Sequence, residues 1–351
     1  MSESLSTQRS TPSRRALVIL MYFCLAVISS YFNDFEAVEM SALSQELADR
    51  EEAGELLGSQ SPLEIAATTR TIRQVEHEQA IRGTVRPPLR YRPLSFWMTE
   101  VACRAFGSPY LYTDLYLRML FLFLCALALH GYLRRWLDLP TTVLGVVVLF
   151  ALMPAVYWRG YHKLYDFTNL LVFVVGYRLI RDRGDGWLVP LVAAGMLNRE
   201  TTVMLVVVYF FVRLGQLPWR ILLARAAGLG ALCMVIYVGL RLAYGYESWY
   251  RWYELLENPF DPQTYLYPVL FLNAFSVLAF LGWREKPRFL RRAMLMVPFF
   301  FAIHFVVGYV REVRLFLPLL PLFLPLGLLS LRGRPPGVAA ERGEAPAKEV
   351  G

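Results

Sequence analysis

The sequence predicts an all-α, polytopic integral membrane helical bundle, with about eight full spans, a mid-chain hairpin of two short helices and a long helical first extracytoplasmic loop. Three observations predict it. Hydrophobic residues make up 56% of the 351-residue chain and aromatics 15%, more apolar sequence than a soluble core needs. Apolar runs recur along the chain at lengths near the ~20 residues that cross a bilayer. The gaps between these runs hold most of the arginines, which reads as membrane topology rather than a nucleic-acid stripe despite the net charge of +8. Cys24, Cys103, Cys125 and Cys233 lack metal-ligand spacing, so neither a disulfide nor a zinc site is assigned.

The first apolar run, Ala16–Tyr31, follows Arg9, Arg14 and Arg15. It exceeds a usual signal-peptide core and has no small-x-small cleavage site, so it reads as an uncleaved span with the N-terminus inside. Residues 32–112 are then an outside loop. Asn33 and Glu36 resemble a capping box, with Met40, Leu43 and Leu47 on one helical face behind them. Ser61, Pro62 and Glu64 mark a second helix start, followed by Ile65, Ile72 and Val75. The prolines of Arg86–Pro93 push the residues before them toward extended conformations, so this stretch is a rigid link rather than a helix. Ser95–Phe106 reads as a short amphipathic helix at the interface, anchored by Phe96, Trp97, Val101 and Phe106.

Further spans are expected at Thr113–Tyr132, Thr141–Trp158, Phe167–Ile180, Ile221–Ala243, Tyr265–Gly282, Ala293–Tyr309 and Leu315–Leu331. Asp114 and Arg118, four apart on one of them, should pair. Residues 1–332 thus form one transmembrane domain, and the Pro-, Gly-, Ala- and Glu-rich tail 333–351 has too little apolar surface to fold.

Trp187–Val212 is the stretch that fixes the topology. Asn198, Arg199, Glu200 and Thr201 interrupt it at its centre, and basic residues flank both ends (Arg181 and Arg183 before, Arg213, Arg220 and Arg225 after). Basic flanks mark a cytoplasmic side, and one straight crossing would put one cluster outside. Each apolar half is only ~16 Å long as helix, about half the hydrocarbon core. A hairpin that enters from the cytoplasm and turns at Asn198–Thr201 satisfies both constraints; a single long tilted helix is the alternative.

This topology gathers four polar groups on the outer side. Asp34 and Glu36 stand just after the first span, where a held carboxylate can act as a general base, although acids in a helix's first turn are also favoured by its dipole. His162, Lys163 and Asp166 occupy the gap between the third and fourth spans. Asn198, Arg199 and Glu200 form the hairpin corner. Arg311, Glu312 and Arg314 precede the last span, where the guanidinium pair is suited to clamping phosphate oxygens or anchoring at the headgroups, and Pro318, Pro321 and Pro325 would hold it in a fixed direction. His304 reads as a packing histidine. Trp249 and Trp252 lie in an aromatic loop that is either an interfacial belt or a platform for a sugar ring.

Together these residues resemble the GT-C superfamily of polytopic membrane glycosyltransferases, which use polyprenyl-phosphate-linked sugars. The resemblance covers the chain from the first span through Arg314 as architecture. Asp34-Phe35-Glu36 stands where that superfamily often carries a DxD-like motif, with Glu in the second position, and Arg90-Tyr91-Arg92-Pro93-Leu94 and Asn198-Arg199-Glu200-Thr201 look like patches of uncharacterised bacterial relatives. The resemblance implies an inverting transfer on the extracytoplasmic side of a bacterial inner membrane, both termini cytoplasmic. Asp34 would be the base, with Glu36 beside it, and Arg311 or Arg314 would meet the phosphate of a polyprenyl-phosphate sugar. Asn198, Arg199, Glu200, His162, Lys163, Tyr91 and Arg92 would shape the site. The acceptor would be a glycan, lipid or protein, with membrane lipids as surroundings and no nucleic acid involved. No metal ligand is assigned, and a divalent cofactor stays open. A transporter or flippase for an anionic envelope intermediate, or a non-catalytic envelope-assembly protein, is the competing class.

Overall fold

The computed structural model describes residues 14–31, 74–157, 163–247, 260–307, 310 and 312–331. Within them the molecule is an all-helical bundle with the character of a membrane protein. Its helices are α1 (Arg14–Tyr31), α2 (74–81), α3 (Pro93–Phe106), α4 (Tyr110–Leu133), α5 (Leu139–Tyr157), α6 (Leu164–Asp182), α7 (Asp185–Asn198), α8 (Met204–Arg213), α9 (Trp219–Tyr244), α10 (Pro262–Leu272), α11 (Ala274–Leu278), α12 (Arg288–Ala293), α13 (Met296–Val307) and α14 (Leu320–Leu331). Six stretches among the described residues are long and apolar enough to cross a membrane: α1, α4, α5, α9, Arg288–Val306 and Val313–Leu331.

Two of the expected spans take a different form. Phe167–Ile180 is part of α6, but 13 of that helix's 19 residues are buried, so protein rather than lipid surrounds it. It packs against α3, α4, α7, α8 and the turns before α14, and Tyr177 Oη closes its lower half by donating to the Pro318 carbonyl at 3.1 Å. Tyr265–Gly282, expected as one helix, is broken at Asn273, whose φ of 39° ends α10 and starts the short α11. The last span begins as a seven-residue 3-10 run, Val313–Leu319, before α14. Prolines at 318, 321 and 325 remove backbone donors there, in keeping with the irregular start.

The helices sort their ends into two groups. At one end, Arg135 meets Asp182 at 3.1 Å, Arg181 covers the Trp136 ring, and Arg292 reaches the Val212 carbonyl at 3.0 Å. Lys286, itself buried, donates to the Leu326 carbonyl at 2.6 Å and to Ser330 Oγ. At the other end, Ser30 near the close of α1 lies 3.3 Å from Tyr157 Oη at the close of α5, and the Tyr157 ring packs on Phe167 at the start of α6. The core between the two ends is apolar, built from residues such as Leu122, Leu129, Leu149, Phe173 and Phe316.

Between α7 and α8 the chain reverses. Arg199 is extended (φ −162°, ψ 135°), a short 3-10 turn runs over Glu200–Val203, and α8 leads back. The closure is visible at the far ends, where Arg213, the last residue of α8, pairs with Asp185, the first of α7, at 2.7 Å. A straight helix from 185 to 213 would hold them ~42 Å apart. Arg225 of α9 and Tyr209 of α8 bind the same carboxylate at 2.9 and 3.1 Å. The arms are ~21 and ~15 Å long, too short to span ~30 Å of hydrocarbon. Gly195 makes the tight tip possible, because a Cβ there would stand 2.6 Å from Thr202 Cγ2 and 2.9 Å from Val172 Cγ1.

Candidate functional site

The hairpin tip is met by three other elements at the end of the bundle away from the arginine clusters. The first is the start of α6, where Asp166 folds back on its own helix entrance and accepts from the Lys163 amide at 3.0 Å, one half of a capping box. Its other bonds are ionic. Arg199 Nη1 of the tip donates to Asp166 Oδ1 at 2.7 Å, with the carboxylate fully buried and the guanidinium nearly so. The second element is the 3-10 run before α14, from which Arg314 Nη1 reaches Asp166 Oδ2 at 3.4 Å and Tyr165 Oη at 3.1 Å. The third is the segment before α3, where Arg92 Nε donates to Glu200 Oε2 at 3.3 Å.

Three guanidiniums from three separate elements thus surround one ring. Arg92, Arg199 and Arg314 lie 5.1, 5.7 and 5.9 Å from the centroid of Tyr165, within cation–π range. Asp166, Glu200 and Glu312 supply an equal number of carboxylates, so the set is self-neutralised. Burial works against the charge of Arg92, but Glu200, Tyr165 and Asp166 outweigh it and hold that guanidinium above its ordinary value. Hydrogen bonding is incomplete. Asn198 Nδ2 donates to the Tyr165 carbonyl at 2.9 Å, yet Asn198 Oδ1, Arg199 Nε, Asn169 Oδ1 and Thr202 Oγ1 are buried and unmet among the described residues. Buried polar groups are rarely left so, and four such atoms gather around this one corner.

The expected site residues fall into two sets. Asn198, Arg199, Glu200, Arg92 and Arg314 are together in this cluster. Lys163 is at its edge, paired with Glu76. Tyr91 stands beside it, its Oη donating to the Gly245 carbonyl at 2.8 Å and accepting from the Glu247 amide at 3.0 Å, while Arg241 covers its ring. Asp34, Glu36, His162, Trp249, Trp252 and Arg311 lie outside the described residues, as do the helix starts expected near Asn33 and Ser61 and the tail 333–351. The chain does leave for Asp34 at Tyr31, and for Trp249 after Glu247, from this same end.

The chain matches no family model, no curated protein and no solved structure.

Some expectations are refined by the geometry. Arg314 is not an open clamp, because Glu312 and Asp166 already bind it. Of the four expected anchors on α3, Phe96 is buried in protein, and Trp97, Val101 and Phe106 are exposed. His304 is a packing residue, its Nδ1 2.7 Å from the Phe300 carbonyl and its ring stacked on Phe300. Asp114 and Arg118 pair at 3.0 Å. Tyr165, Asn169 and the central role of Asp166 were not evident from the chain. Asp166 stands out in the sequence only as a member of the outward polar group His162, Lys163 and Asp166, and nothing in the chain marks Tyr165 or Asn169.

Proposed function

We propose that this protein is a membrane glycosyltransferase that moves a sugar from a polyprenyl-phosphate donor to an acceptor hydroxyl at the end of the bundle holding the Asp166 cluster. That end would face the extracytoplasmic side, because the opposite end carries the paired arginine clusters expected of a cytoplasmic face. The observation that carries the reading is the convergence of Arg92, Arg199 and Arg314 on Tyr165, with the Arg199 Nε donor buried and unmet. Fixed guanidiniums in a water-poor corner suit an anionic group whose charge grows during reaction.

In the proposed step Asp34 takes the proton of the acceptor hydroxyl and the freed oxygen attacks the anomeric carbon. The bond from that carbon to the phosphate oxygen breaks, and the lipid phosphate leaves with the electron pair. Arg314, with Arg311 three positions earlier in the sequence, meets the departing charge. The apolar core between the two ends of the described bundle favours transfer over transport, since a permeating polar substrate needs a polar path across the middle.

The test is mass spectrometry of lipid-linked sugars and surface glycans from cells carrying wild type or Asp34→Asn. Wild type should release lipid phosphate and extend a glycan, and Asp34→Asn should turn over ~10²–10⁴-fold more slowly with donor binding retained. Glycans and lipid carriers unchanged by deleting the protein would refute the proposal.

A further inference from the structure

We propose that Glu312 is an internal stand-in for the donor's phosphate, occupying the arginine fork at rest and displaced when the lipid phosphate binds. The inference rests on reading the cluster as the donor-phosphate site and adds how that site is kept closed.

The Arg314 guanidinium has one edge, formed by Nε and Nη2, that presents two parallel N–H groups to an anion. Both donate to Glu312 Oε2, at 3.1 and 2.9 Å. The remaining nitrogen, Nη1, is held by Tyr165 Oη and Asp166. No edge is left for a phosphate while Glu312 stays.

The two carboxylates on Arg314 differ in their freedom to leave. Asp166 is wholly buried and tied to the Lys163 amide and to Arg199 as well. Glu312 has a side chain 37% exposed, and among the described residues Arg314 is its one ion-pair partner. Its backbone is extended (φ −77°, ψ 99°), and it is the main-chain carbonyl, not the side chain, that accepts from the Leu315 amide at 2.9 Å. Rotating the Glu312 side chain into solvent therefore disturbs no backbone bond. The exchange also suits the charge of the corner. The six ionic groups cancel at rest, and withdrawing Glu312 leaves one guanidinium uncompensated for an incoming phosphate ester. A fork filled by its own carboxylate is better tolerated in a buried corner than an empty one, which would leave Nε and Nη2 without an acceptor while Asp166 holds only Nη1.

The consequence is that removing a carboxylate should tighten binding of an anion. The full-length protein in lipid nanodiscs would be titrated with farnesyl phosphate as probe and farnesol as its uncharged control. Glu312→Gln should bind farnesyl phosphate about five- to tenfold more tightly, the size of a partly exposed charge-assisted pair, with farnesol unchanged. Glu312→Asp, which keeps the charge but shortens the reach, should fall between Gln and wild type, and serves if the Gln variant does not fold. If wild type binds farnesyl phosphate, Arg314→Lys weakens it, and neither Glu312 variant tightens it, the stand-in is refuted and the site reading survives. If no form prefers farnesyl phosphate to farnesol, the site reading fails and the inference with it.

Discussion

Replacing Asp166 by Asn changes one oxygen for an amide at the point where α6, the hairpin tip and the 3-10 run before α14 are joined. The variant keeps an acceptor for the Lys163 amide, so the helix entrance is preserved. It cannot accept from Arg199 and Arg314 together, because the new NH₂ faces a guanidinium donor. Arg314 retains Glu312, so its share of the loss is about 1 kcal/mol or less. Arg199 has no second ion pair among the described residues and is nearly fully buried, so it becomes an uncompensated interior charge. Removing one partner of a buried pair costs ~3–5 kcal/mol, and that is the size expected. At ~2–4 °C per kcal/mol for a chain of this order, the melting point should fall by about 6–20 °C. The assay is thermal unfolding in detergent followed by tryptophan fluorescence, for Asp166→Asn, Arg199→Met and the double variant. The double variant should cost clearly less than the sum of the singles, since it leaves no lone charge. Additive costs, or a melting point for Asp166→Asn within about 1 °C of wild type, would refute the reasoning.

Two further outcomes are expected. Gly195→Val should lower stability by about 1–3 kcal/mol through overpacking against Thr202 and Val172, whereas Gly186→Ala on the same helix, where a Cβ meets nothing, should be neutral or slightly stabilising; equal melting points for the two would show that the hairpin tip is not tightly packed. Burial pushes the Lys286 ammonium down to about 8, with Glu285 opposing. Because this basic group is lowered in the fold, its destabilising effect is fully present below pH 8 and is relieved as pH rises from about 8 toward its ordinary value. Wild type should therefore gain on Lys286→Met over that range, by up to roughly 3 kcal/mol, and parallel melting curves against pH would contradict it.

The sequence by itself determined the all-helical, membrane-like architecture and the place where its middle breaks. Hydrophobic run length and arginine spacing are local quantities, and the polar interruption Asn198–Thr201 stands out in an apolar stretch without any knowledge of its neighbours. Those same local quantities could not show that α6 is sheathed by protein rather than lipid, since an apolar helix looks alike in either solvent. Nor could they anticipate the break at Asn273, where no proline or glycine marks the backbone turn. The site divides along the same line. Arg199 and Glu200 are recognisable in the sequence as charges in a costly position, Arg314 as one of a pair before the last span, and Arg92 through the patch that resembles bacterial relatives. Only the tertiary structure decided that Asp166 joins two of them, that Glu200 takes the third and that Glu312 fills the fork of Arg314. Ion pairing between residues on different elements, 33 positions apart for Arg199 and Asp166 and more than a hundred for Arg92 with Glu200 and Arg314 with Asp166, depends on how the helix ends meet in space, and a buried charge has no preferred partner until packing excludes the water that would otherwise serve as one.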